Sequence, residues 1–354
     1  MRTRRDFIGT AVGAGAALIV AGCSNGSGDP RTSGSPVTTS PVTTSPVTTS
    51  PVTTSPVAAP WSGADFGALD RFLDDANTDA FRIVEAGTVI HEWYRTDSAA
   101  GRDVASAQKS VLSLLVGRAV GDGLIGLDTE IDDVLGNGWT PHGQTAGITV
   151  RQLLSMTSGL DDQFAVVASP GAEWNYSGAF AALFDVLTTI TGRELNALAD
   201  EWLFTPAGAT TAAFYERRSA QFAPIGLFAT ASDLTAIGQT VVDASQPGLP
   251  AGWLDESFAP SQTSNEAYGY LWWLNGQESF RLPGAQVTRP GWLIPSAPVD
   301  LVSALGKDDQ KLYISRDLDL VVARLGDKAS PEVRPALSVF DDPLWAMLLD
   351  LRAA

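Results

Sequence analysis

The chain has 354 residues, 44% of them hydrophobic, with Lys+Arg 23 against Asp+Glu 40, two His, one Cys and ten Trp, for a formal charge of -17. So acidic a chain is a poor partner for nucleic acid, and one Cys builds neither a disulfide scaffold nor a thiolate cluster. With only His91 and His142 present, a three-His zinc centre is impossible and a His-based serine triad has two candidates to draw on.

The N-terminus reads as a targeting segment. Arg2, Arg4 and Arg5 make a basic start, Thr3-Arg4-Arg5-Asp6-Phe7-Ile8 has the twin-arginine export pattern, and residues 7–22 are apolar but too short and too glycine-rich for a good bilayer span. They run into Val20-Ala21-Gly22-Cys23, which resembles a lipobox, so residues 1–22 are expected to be a signal peptide and Cys23 a lipidation site. The expected location is the outer face of the cell membrane, with Cys23 as lipid anchor. Residues 23–60 hold the unit Ser-Pro-Val-Thr-Thr four times, from Ser35 to Thr54. Pro at every fifth position forbids helix and disfavours strand pairing, so this is expected to be an extended stalk.

Residues 61–354 are long enough for one large domain. An amphipathic helix is expected at 66–77, then a hairpin of strands 81–84 and 88–94 turning at Ala86-Gly87. Helices follow at 105–121 and 149–156, and helical periodicity dominates as far as about 243. Strands return at 311–315 and 318–324, separated by Arg316-Asp317, and a final helix at 339–351 is introduced by Asp341-Asp342-Pro343. The expected class is α+β: an antiparallel sheet from both chain ends flanked by helices (about 61–115 and 260–354), with an inserted, mainly helical subdomain (about 116–259).

No Gly-x-Ser-x-Gly elbow occurs in the domain, and His91 (in a strand) and His142 (in a turn) read as structural, so a base other than His is needed. Ser106-Ala107-Gln108-Lys109 supplies one. Three residues apart at a helix start, Ser106 and Lys109 share a face within hydrogen-bond reach, and a desolvated Lys can take the Ser proton. The free N–H groups of the helix start also suit an oxyanion. A solvated helix start with a capping Ser is the plainer alternative for this spacing alone.

Further motifs follow in order. Ala105-Ser106-Ala107-Gln108-Lys109-Ser110-Val111 resembles the nucleophile segment of the serine beta-lactamase and penicillin-binding-protein superfamily, nearest its class C, esterase and 6-aminohexanoate-dimer-hydrolase branch. Ile148-Thr149-Val150-Arg151-Gln152-Leu153-Leu154-Ser155-Met156-Thr157-Ser158-Gly159-Leu160 is the most specific match. Trp174-Asn175-Tyr176-Ser177-Gly178 stands where the family carries Tyr-x-Asn, and Gly306-Lys307-Asp308-Asp309-Gln310 where it carries Lys/His-x-Gly. The resemblance covers about residues 80–350 and implies a beta-lactamase/transpeptidase-like fold without cofactor.

It also implies roles. Ser106 would be the acylated nucleophile, Lys109 its proton partner and Tyr176 the general acid/base, its phenol pKa lowered by Lys109 and Lys307. Lys307 would orient a substrate oxygen from an edge strand, and the N–H groups of Ser106 and Gln310 would form the oxyanion hole. Two departures stand out. Gly178 replaces the motif's Asn, and Asp309 replaces its Gly; as a strand residue two after Lys307, Asp309 would face the site and repel anionic substrates. Trp174, Tyr270, Trp272 and Trp273 are candidates for an apolar acyl pocket or for core, and Tyr94 and Tyr313 read as packing. The expected activity is hydrolysis of a small ester or amide. The alternatives are a non-catalytic surface binding protein on the same fold, and a cell-wall D,D-carboxypeptidase or beta-lactamase.

Overall fold

The computed structural model describes residues 59–96, 101–143, 145–218, 224–285, 287–331 and 336–354. The expected signal peptide, Cys23 and the stalk up to residue 58 lie outside the described residues. In chain order the strands are β1 (Thr78–Glu85), β2 (Thr88–Tyr94), β3 (Arg102–Asp103), β4 (Ala213–Glu216), β5 (Ile225–Ala229) and β6 (Trp273–Leu274). The rest are β7 (Ser279–Phe280), β8 (Arg289–Pro290), β9 (Val302–Leu305), β10 (Lys311–Ser315) and β11 (Leu320–Gly326).

The main sheet has the order β2-β1-β11-β10-β9-β6, so the N-terminal hairpin pairs with the C-terminal one as the sequence pattern predicts. The first hairpin turns where expected, with both Ala86 and Gly87 at positive φ (47° and 71°), the combination that follows the natural twist of two joined strands. Side chains of β10 and β11 alternate between the two faces of the sheet, and both strands are buried throughout because a helix covers each face. Leu312 and Val321 meet the helix Ala231–Val242, which comes so close that a Cβ on Gly238 would lie 2.5 Å from Val321. The opposite face carries Tyr313, edge-on to Trp345 of the final helix Asp341–Ala353, together with Lys311 and Arg324.

The helix Gln108–Gly121 is buried on nearly every side, including Gln108, Lys109, Ser110 and Ser113. It is therefore a central helix rather than a surface one with a single apolar stripe. The helix Val150–Leu154 starts with a reciprocal cap between Thr149 and Gln152. The expected mainly helical middle also carries β4 and β5, which with β3 form a second sheet of order β3-β5-β4. Short strands with few alternating positions leave little periodic signal, which is why helix was expected there. No helix among the described residues is long and apolar enough to cross a membrane.

Candidate active site

Ser106 sits in a 3₁₀ turn, Ala105–Ala107, that runs directly into the central helix. The turn is pinned from outside. Ala105 has φ 52°, unfavourable for a residue with a Cβ, and its N–H is held by Asp103 Oδ1 at 2.8 Å. Asp103 is in turn gripped by Arg217 from the end of β4, with Nε–Oδ2 and Nη2–Oδ1 both 2.7 Å. The small sheet that brings β3 beside β5 and β4 thus fixes the residue before Ser106.

One helical turn on, Lys109 Nζ lies 2.9 Å from Ser106 Oγ. The ammonium position is 6% exposed and roofed by two rings, with Nζ 4.6 Å from the Tyr176 centroid and 4.1 Å from that of Phe180. Burial, reinforced by the Arg217 charge and opposed by Asp162, brings the Lys109 pKa down to about 7. Near neutrality this lysine is therefore poised between base and acid. Tyr176 goes the other way. Burial pushes its phenol up to about 12, with the neighbouring Ser106 hydroxyl lowering it and Asp162 raising it further. The expected lowering does not occur, because Lys307 is not beside it and burial dominates. Tyr176 therefore holds its proton near neutrality.

Ser106, Lys109, Asn175, Tyr176, Ser177, Gly178 and Phe180 line a cavity of about 460 Å³, completed by Asp161, Asp162, Pro283 and Gly284. Its size suits a small organic substrate. Asn175 secures the Tyr176 segment, its Nδ2 donating to Leu160 O at 3.0 Å and its N–H to Met156 O at 2.8 Å. Among the described residues no group of three or more His, Cys, Asp or Glu is placed to hold a metal ion.

A family model for beta-lactamases matches residues 69–336. The chain belongs to the beta-lactamase family. Solved structures of similar fold include a beta-lactamase from Mycobacterium bovis, 19% identical over 77% of this chain and 93% of that one, TM-score 0.59. A protein assigned as a 6-aminohexanoate-dimer hydrolase from Bacillus anthracis is 20% identical over 81% of this chain and 83% of its own, TM-score 0.60. EstCE1, a hydrolase with promiscuous acyltransferase activity, is 14% identical over 81% and 97%, TM-score 0.60. At these identities the likeness establishes the fold. No curated protein matches the chain.

As a member of the beta-lactamase family the chain keeps the first motif with its Ser and Lys side chains in contact and rebuilds the last. Lys307 is not on an edge strand: Lys307–Asp309 is a 3₁₀ turn after β9, with Lys307 exposed and Asp308 and Asp309 at φ 59° and 62°. Asp309 therefore does not share a face with Lys307. Its carboxylate is buried, 3.2 Å from Lys311 Nζ, and accepts the Ala329 N–H at 3.0 Å. Burial works against that charge, but Lys311 and the Ala329 N–H outweigh it and hold the carboxyl below its ordinary pKa. That charge is paired with Lys311 and does not border the cavity. Gln310 is also buried, and its side chain spans the turn, donating to Asp308 O at 2.9 Å and Gly326 O at 2.7 Å and accepting the Gly326 N–H at 3.1 Å.

Lys307, Asp309 and Gln310 do not line the cavity. The turn nonetheless lies beside the nucleophile segment, because Gly306 packs against Val104, where a Cβ would come 2.3 Å from the Val104 carbonyl oxygen. Trp174 is core rather than pocket. At 2% exposure it packs with Tyr176, Tyr268 and Trp273 and does not line the cavity. Tyr270, Trp272 and Trp273 are buried as well. The aromatic set acts as a rigid backing for Tyr176, whose ring lies 5.8 Å from that of Trp273 at 30°. Sequence reasoning missed Asp162. Its only signal was position, two residues after the Ser158-Gly159-Leu160 run.

Proposed function

We propose that the protein is a serine hydrolase that cleaves a small ester or amide through an acyl intermediate on Ser106, and that it is exported and held at the membrane surface by a lipid on Cys23. The observation that carries the catalytic reading is the 2.9 Å contact from Lys109 Nζ to Ser106 Oγ inside a substrate-sized cavity, with the lysine pKa brought down to about 7. Neutral Lys109 takes the Ser106 proton as Oγ attacks the carbonyl carbon. When the tetrahedral adduct collapses, the leaving oxygen or nitrogen receives a proton from Tyr176, which is restored from the Lys109 ammonium. A water then attacks the acyl carbon, giving its proton to Lys109, and Lys109 passes that proton to Ser106 Oγ, which leaves as the hydroxyl. The start of the Gln108–Gly121 helix adds dipole stabilisation to the negative adduct at Ser106.

Esters and amides are favoured over carboxylate-bearing beta-lactams because the cavity walls carry Asp161 and Asp162 and not Lys307. The neighbouring folds include a hydrolase with promiscuous acyltransferase activity and a protein assigned as a 6-aminohexanoate-dimer hydrolase, which fits that choice. The test is hydrolysis of p-nitrophenyl butyrate against nitrocefin by the full chain and by Ser106→Ala. The expected result is ester turnover that the variant lacks, with nitrocefin turned over far more slowly. Nitrocefin turnover at the ester rate would make a beta-lactamase of it, and ester turnover undiminished in Ser106→Ala would remove Ser106 from the chemistry.

A further inference from the structure

The acyl cavity carries more acid than base. Among the described residues that line it, Asp161 and Asp162 are carboxylates and Lys109 is the single cation, one that gives up its proton near neutrality. Asp161 is committed to its own turn, its Oδ1 accepting the N–H of Gln163 at 2.8 Å and of Ala165 at 2.9 Å. Asp162 instead reaches across to the Tyr176 segment, where its Oδ1 accepts the Gly178 N–H at 2.7 Å. Its charge also acts on Lys109, on the wall of the same cavity.

Gly178 is the position at which the sequence lacks an amide side chain. The place beside Lys109 is therefore served by a carboxylate from another segment, fixed by a backbone N–H. A pre-oriented anion at the wall of a partly desolvated cavity attracts a cation and repels an anion without reorganising. Lys307, the side chain that would balance a substrate carboxylate, is exposed and does not border this cavity.

We propose that Asp162 is a specificity-determining residue: it selects substrates whose acyl part carries a quaternary or protonated amine and disfavours those carrying a carboxylate. The inference rests on the Ser106 hydrolase reading above. The acyl part is the relevant half because it stays on Ser106, within this cavity, until water releases it. Asp161 adds negative potential behind it, and recognition by one attractive contact plus rejection of the opposite charge is how modest ion contacts yield selectivity.

The test uses three p-nitrophenyl esters of similar length on the full chain: 4-(trimethylammonio)butyrate, its uncharged isostere 5,5-dimethylhexanoate, and the adipate monoester. The expected kcat/KM order is cation, neutral, anion, with a cation-to-neutral ratio of about tenfold, the scale of a partly screened charge contact. Asp162→Asn should bring that ratio close to one, and each ratio is taken within one variant, so any change in Lys109 basicity cancels. Gly178→Asn, which returns an amide to this place and competes for it with the carboxylate, should also shrink the ratio if Asp162→Asn folds poorly. A ratio of one in the native chain, or a tenfold ratio that survives in both variants, overturns the proposal. Labelling of Ser106 by a fluorophosphonate in the same preparation separates the two readings. Labelled Ser106 with Ser106-dependent turnover and a ratio of one sinks the selectivity and keeps the hydrolase, whereas no Ser106-dependent turnover of any ester sinks both.

Discussion

The Ser106–Lys109 turn and the Lys307–Gln310 turn lie against one another, yet they differ in what holds them and in what they do. The first is set almost wholly by its own helix: a spacing of three fixes the 2.9 Å contact, and Asp103 and Arg217 only steady its entry. The second is set by distant partners. Asp309 answers to Lys311 and Ala329, Gln310 to Gly326, and Arg324 gathers the carbonyls of Asp309, Ala76 and Asp327 at 2.8, 2.6 and 2.9 Å. A motif whose geometry comes from one element transfers through sequence, whereas one whose geometry comes from several elements can keep its place and lose its role.

Mutations should separate the two turns sharply. The largest effect belongs to the first: Ser106→Ala or Lys109→Met should lower kcat/KM for p-nitrophenyl butyrate by about a thousandfold or more, with far-ultraviolet circular dichroism unchanged. The second turn should fail by stability instead. Asp309→Ala leaves Lys311, which is fully buried, with the Asp341 carboxylate at 3.0 Å and the Ala336 carbonyl at 2.8 Å, and should cost about 3 kcal/mol in urea unfolding. Lys307→Ala, at an exposed side chain off the cavity, should change the same rate by less than about threefold; a hundredfold loss would restore the turn to the chemistry.

The pH dependence sharpens the contrast further. Lys109 has its folded pKa depressed to about 7 from 10.5, so above pH 7 the unfolded chain holds a proton that the folded chain lacks. Stability should therefore rise with pH between about 7 and 10, by up to about 1.4 kcal/mol per unit from this group, and Lys109→Met should lose that slope. On the same basis kcat/KM should fall about tenfold per unit below pH 7, because protonated Lys109 no longer accepts the Ser106 proton. The smallest effect is at the turn's entry, where Ala105→Gly removes a left-handed strain and should add about 0.5–1 kcal/mol of stability with modest change in rate.

Much of the fold was legible because the signals were long. The two hairpins, the central helix and the closing helix each have several apolar residues at one period, and the sheet joins both ends as expected, although the last strand starts at Leu320 rather than 318 because residues 316–319 form the turn, with Asp319 at φ 50°. The small sheet was not legible, since β3 has two residues and β4 four. In the site, Ser106, Lys109 and Tyr176 were found and are brought together. Asp309 was misplaced because a strand was assumed where two successive left-handed residues make a turn, and Trp174 because burial cannot be told from pocket lining by residue type. Asp162 escaped because its role depends on Gly178, sixteen residues away, offering a bare N–H.

The central claim is that Ser106 carries the acyl group, and the direct test is rapid-quench peptide mass spectrometry of the full chain during turnover of p-nitrophenyl butyrate. The account predicts a butyryl group on the peptide containing Ser106 during turnover at neutral pH, and none in Ser106→Ala. Sustained turnover with that peptide unmodified under every quench condition, or a butyryl group found instead on Tyr176, would contradict it.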